Sequence, residues 1–107
     1  MEKNLVILQE IKSLLKIKFG DNIKEVILFG SQESGKADED SDYDILIILQ
    51  YSYDREMVKQ IRNVCDDMDI KYGIITDTHI VSEYELHNTL KGYEPVYINA
   101  INNGIRL

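Results

Sequence analysis

The feature that most constrains this chain is the segment Asp42-Tyr43-Asp44-Ile45-Leu46-Ile47-Ile48-Leu49. Five consecutive aliphatic residues, three of them β-branched, are too few for a membrane span and show no helical spacing. They predict a strand from Tyr43 to Leu49 that is covered on both faces. Two aspartates stand at its start. Side chains two apart on a strand share a face, so Asp42 and Asp44 are expected to project together from the lip of a buried sheet.

The rest of the chain supplies the layers such a strand needs. Leu8, Ile11 and Leu15 recur at helical spacing within Leu5 to Phe19, and Gly20-Asp21-Asn22 ends that helix. Val26-Ile27-Leu28-Phe29 is a short strand closed by Gly30-Ser31, followed by a polar stretch from Gln32 to Ser41. Asp54 is placed to cap a helix whose apolar positions are Met57, Ile61, Val64, Cys65 and Met68. Ile70 to Thr76 then reads as a third strand, and Ser82-Glu83-Tyr84-Glu85 as a capping box opening a short helix that stops near Gly92. Pro95 and Gly104 bracket a last helix, with Ile105-Arg106-Leu107 as an extended tail. The expected fold is α/β (α+β): a small mixed sheet with helices packed against it, forming one domain over residues 1–107.

Composition narrows the function classes. A formal net charge of -7 disfavours binding of free nucleic acid, because the chain on average repels phosphate backbones. No apolar run reaches the length of a membrane span, and the N-terminal residues lack the pattern of a signal peptide. A single cysteine, Cys65, excludes an internal disulfide and fits a reducing, cytoplasmic location.

Asp42 and Asp44 are the first candidates for chemistry. Two like charges on one face beside a buried run are unfavourable unless something compensates them, and a hard divalent cation such as Mg²⁺ does so while leaving positions open for phosphate oxygens. Taken alone, the pair reads more readily as the solvated end of a loop. Gly30-Ser31 closes the preceding strand, where a glycine lets the backbone approach a phosphate and the serine hydroxyl can donate to it. Alone, that dipeptide is an ordinary turn.

Together, Leu28-Phe29-Gly30-Ser31, ten residues, and Asp42-Tyr43-Asp44-Ile45-Leu46 resemble the Gly-Ser-x10-Asp-x-Asp signature of the DNA polymerase beta-like nucleotidyltransferases. The chain is most similar to the minimal nucleotidyltransferase branch found as the antitoxin of HEPN toxin modules. Gly35, Ala37, Ser41 and the late Gly92-Tyr93-Glu94-Pro95-Val96-Tyr97-Ile98-Asn99 fit that branch as well. The resemblance implies a nucleotidyltransferase fold, with Asp42 and Asp44 as catalytic metal ligands in a two-metal Mg²⁺ site. It implies a triphosphate, of ATP or another NTP, held by Gly30 and Ser31. Lys36 is the one basic residue in the intervening stretch and the candidate to assist there. In this branch AMP is transferred to a tyrosine of a HEPN-domain partner.

Two departures from the family pattern matter. Gln32, Glu33 and Ser34 stand where basic residues are common. With the third strand placed over Ile70–Thr76, Lys71 falls at the position of the family's third carboxylate, leaving Asp69 as a fallback metal ligand. Two functions therefore stand side by side: an AMP transferase acting on a protein hydroxyl, and a module that keeps the fold, is weakened by Lys71, and neutralises its partner by contact. A nucleotide-binding domain of other purpose is a third. A domain this small leaves one side of its cleft unbuilt, for a partner or a second copy to complete.

Other residues invite less. Asp38, Asp40, Asp42 and Asp44 alternate like a calcium loop, but Tyr43 and Leu49 occupy that loop's glycine and glutamate positions. His79 and His87 lack companion ligands in sequence and read as surface residues, and Cys65 lies on an apolar helix stripe.

Overall fold

The computed structural model of the chain describes residues 2–30 and 42–107. Among these, helix α1 spans Glu2–Phe19 and a 3-10 turn over Gly20–Asn22 leads into strand β1, Ile23–Phe29. Strand β2, Tyr43–Leu49, is followed by helix α2, Arg55–Tyr72, and strand β3, Thr76–Ser82. Helix α3, Glu83–Asn88, a 3-10 turn at Leu90–Tyr93, helix α4, Pro95–Asn103, and strand β4, Ile105–Arg106, complete the order.

The four strands lie in the order β3-β2-β1-β4. β2 pairs antiparallel with β1 and parallel with β3, and β4 runs antiparallel along β1. The sheet is therefore mixed, with β2 inside it, as the unbroken aliphatic run requires. Ile45, Leu46, Ile47, Ile48 and Leu49 are all buried. Burying five such side chains contributes about 8–15 kcal/mol, which outweighs the cost of placing an aspartate at the strand's start.

Strand alternation divides this core in two. Tyr43, Ile45, Ile47 and Leu49 join Val26 and Leu28 under α1, through Leu8, Ile11 and Leu15, and under α2, through Ile61, Cys65 and Met68. Leu46 and Ile48 join Ile27, Phe29 and Val81 under α3 and α4, which bring Leu86, Val96, Tyr97, Ala100 and Ile101. Asp44 belongs to this second face, beyond the edge of its apolar cover.

The capping signals act as expected. The Met57 amide donates to Asp54 Oδ1 at 2.9 Å, and Ser82 with Glu85 forms a reciprocal capping box. One expectation fails. Residues 70–72 are not strand: α2 continues through Tyr72 and ends at Gly73, whose φ of 66° makes the left-handed cap that glycine permits. The third strand begins at Thr76, six residues later than the sequence reading placed it.

Candidate functional site

The corrected position of β3 changes the chemistry. In the parallel pairing of β2 and β3, Asp44 is opposite Asp77 and Leu46 is opposite His79. Asp77, His79 and Val81 thus share a face with Asp44, Leu46 and Ile48. Asp44, Asp77 and His79 each offer one ligand atom, all within 4.8 Å of one another. His79 Nε2 lies 4.0 Å from Asp44 Oδ1 and 3.6 Å from Asp77 Oδ2. The imidazole is held against the Phe29 ring, at 5.4 Å between centroids and a 55° tilt. Phe29 is in turn paired with Asp44 across the β1–β2 ladder.

Gly30 completes one wall. It follows β1 with a φ of 81°, and a Cβ there would come within 2.5 Å of Asp44 Oδ2. Only glycine allows that backbone conformation and that proximity together. Asp42 is exposed just before β2. Ser31 and Lys36 lie outside the described residues.

The electrostatics concentrate on Asp44. Burial raises the proton affinity of Asp44; the negative charges of Asp77 and Asp42 raise it further, and His79 opposes them. A carboxyl whose folded pKa is raised adds stability below its ordinary value near 3.8 and loses it as pH rises through the folded value, so at neutral pH the ionised Asp44 is a cost. Like charges within 4.8 Å of one another repel, by about 1 kcal/mol where water screens them as it does the 57%-exposed Asp77. Asp44→Asn is therefore expected to raise Tm in EDTA by several degrees, about 4–8 °C for each kcal/mol relieved, and to show no rise in Tm on adding a divalent cation where the wild type is expected to show one. Thermal melts with and without Mg²⁺ measure this; an unchanged or lower Tm in EDTA would mean that the charge is already compensated.

The other sequence candidates lie elsewhere in the geometry. Lys71 does not reach Asp42 or Asp44: it sits in the last turn of α2, 60% exposed, with its ammonium 3.4 Å from Glu10 of α1. The inference that a lysine replaces the third acidic position is corrected by this placement, and Asp77 stands opposite Asp44 instead. Asp69, also on α2, accepts from the Thr76 amide and hydroxyl, each at 3.0 Å, and so fastens the helix end to the start of β3. Burial raises its proton affinity, Thr76 lowers it and the nearby charge of Asp42 adds to the rise. His79, read from sequence as a surface residue, is 28% exposed and faces the carboxylates. Asp77 and His79 went unread because β3 was misplaced; the glycine after Tyr72 and the alternation of Thr78, Ile80 and Ser82 with the intervening residues were the available signals.

A mixed sheet with acidic residues in register on neighbouring strands, beside a glycine turn, is the framework of nucleotide-transfer domains. The sequence matches the nucleotidyltransferase domain over residues 7–104, and the chain belongs to that family. It is 36% identical over 81 residues to a provisionally named protein adenylyltransferase of Methanocaldococcus jannaschii, covering 76% of this chain and 75% of that one. A second such protein from the same organism is 35% identical over 92 residues, 84% of this chain and 61% of the other. Among solved structures, a toxin–antitoxin structure with AMP-PNP superposes with a TM-score of 0.63 at 17% identity, covering 92% of this chain and 69% of that one. A variant of the MntA–HpeT toxin–antitoxin pair gives 0.62 at 18% identity with the same coverage. At these identities the two structures establish the fold.

No helix among the described residues is long and apolar enough to cross a membrane.

Proposed function

We propose that this nucleotidyltransferase moves AMP from ATP to a hydroxyl of a partner protein in a Mg²⁺-dependent reaction, and that the partner is a HEPN-type toxin which it thereby neutralises. The observation that carries the reading is the register of Asp44 with Asp77 on one sheet face, against the Gly30 turn. The names of the archaeal relatives and the toxin–antitoxin character of the structural neighbours support the acceptor and the partner.

The residues suit divalent cations: Asp44, whose proton affinity burial raises, stands in register with Asp77, and a Cβ on Gly30 would press on its carboxylate. Asp42, Asp44 and Asp77 would hold them. When bound, such ions neutralise the triphosphate and activate the acceptor hydroxyl. The chain's own part is positional. Gly30, with Ser31 and Lys36 assigned from sequence, receives the β and γ phosphates. The acidic face orients the α-phosphorus toward the acceptor. The acceptor oxygen bonds to that phosphorus as the bond to the β-phosphate bridging oxygen breaks; pyrophosphate leaves, and the hydroxyl proton passes to a carboxylate oxygen of the acidic set. The net negative charge fits a protein acceptor better than a polynucleotide.

With Lys71 paired to Glu10, nothing on the sheet favours the reading in which a lysine displaces a metal. The test is incubation of the protein and its partner toxin with ATP labelled at the α-phosphate. Label is expected on the partner, dependent on Mg²⁺ and absent when the label is at the γ-phosphate. No incorporation, with Asp44→Asn still neutralising the partner, would overturn the transferase reading in favour of neutralisation by contact.

A further inference from the structure

His79 is not required by the chemistry above, yet it is placed as though it took part. It stands on the site face of β3, two residues after Asp77, with its ring fixed by Phe29. Its Nε2 is 3.6 Å from one carboxylate oxygen and 4.0 Å from another. Both distances exceed the 2.7–3.2 Å range of a hydrogen bond, roughly, so neither contact is one. Among the described residues the ring makes no other hydrogen bond. Around a first-row divalent ion with bonds of about 2.1 Å, neighbouring donors stand about 3 Å apart and opposite donors about 4 Å apart. The two nitrogen–oxygen distances thus have the spacing of donors around a shared ion, rather than that of a directly paired imidazole and carboxylate.

We propose that His79 supplies a nitrogen donor to the cation held by Asp44 and Asp77, and that it tunes this site toward Mn²⁺ over Mg²⁺. The proposal rests on the reading of Asp44 and Asp77 as a metal pair. Two carboxylates alone form an all-oxygen set that suits Mg²⁺. An imidazole shifts preference toward the first-row transition ions, which bind nitrogen more strongly and whose affinities rise from Mn²⁺ onward. The half-buried setting keeps the ring from swinging freely into water, so the nitrogen is presented rather than recruited.

The test uses the full chain without nucleotide. Mn²⁺ is titrated by electron paramagnetic resonance, Mg²⁺ affinity is read by competition, and the bound Mn²⁺ is examined for electron spin-echo modulation by a nitrogen-14 nucleus. The wild type is expected to show the nitrogen coupling. In His79→Gln the coupling disappears, Mn²⁺ affinity falls by about tenfold or more, and Mg²⁺ affinity changes by less than about twofold. Circular dichroism checks the variant's fold, and the coupling in the wild type needs no variant at all. Mn²⁺ binding that is lost in Asp44→Asn but carries no nitrogen coupling overturns the role of His79 and leaves the carboxylate pair standing. Equal changes for both ions in His79→Gln overturn the selectivity. No Mn²⁺ binding to the wild type overturns both the proposal and the metal pair.

Discussion

Asp77→Asn is expected to lower the rate of nucleotidyl transfer by at least about 10³-fold while leaving the fold intact. Losing a carboxylate that holds the reacting charges together removes several kcal/mol of transition-state stabilisation, and about 4 kcal/mol is a factor of 10³. The fold should tolerate the change because Asp77 is 57% exposed and packs into neither half of the core. Removing its charge also relieves Asp44, so Tm in EDTA should not fall. Lys71→Ala is the matched control. Its ammonium pairs with Glu10 across the α1–α2 surface, and water screens an exposed pair of this kind so that its loss leaves the fold unchanged. Its transfer rate should stay within about twofold of the wild type. Initial rates of AMP incorporation into the proposed partner, beside thermal melts, measure both. A wild-type rate in Asp77→Asn would remove Asp77 from the acidic set, and a collapse in Lys71→Ala would return that lysine to the site.

These variants also mark where sequence reading reached its limit. β2 was legible because five aliphatic residues in succession have no alternative but burial; its antiparallel register with β1 was not, because a run that is apolar on both faces reads the same after a one-residue slip. The capping of α2 by Asp54 and the capping box at Ser82 were legible because they are local hydrogen-bond chemistry. Gly30, Asp42 and Asp44 became candidates through family spacing, and the structure sets Gly30 against Asp44. β3 was not. Ile70, Tyr72, Ile74 and Ile75 looked like a strand, yet Ile70 is 83% exposed on a helix and Ile75 is 58% exposed in the connection. The real strand, Thr-Asp-Thr-His-Ile-Val-Ser, carries the polar side chains that the site requires at its first positions, and so lacks the apolar signal by which strands are found. Once the strand slipped, Asp77 was lost to a loop and His79 had no visible companion. The polar first half of β3 thus hid the strand, and the misplaced Lys71 followed from that slip.

Gly30→Ala should separate the two demands made on that glycine when it is set beside Gly73→Ala. Both residues have positive φ, 81° and 66°, and an alanine in the left-handed region costs about 1–2 kcal/mol at either place. At Gly73 a Cβ meets nothing within 4 Å, so the backbone term is the whole effect: Tm falls by roughly 5–10 °C, and transfer measured below the transition is unchanged. At Gly30 the new methyl comes 2.5 Å from Asp44 Oδ2 and 3.3 Å from its Cγ. The obstacle is the end of a side chain, not backbone, so the carboxylate can turn away and the added stability loss is small. Turning away is nevertheless what the site cannot tolerate. It carries Asp44 out of its register with Asp77 and His79, and a displacement of about 1 Å in a catalytic group costs about 10²-fold in rate. The two variants should therefore melt at similar temperatures while differing about 10²-fold in AMP transfer, with Mg²⁺ affinity reduced only in Gly30→Ala. Equal activities at a temperature where both are folded would mean that Asp44 keeps its place without Gly30, and that the glycine serves the turn alone.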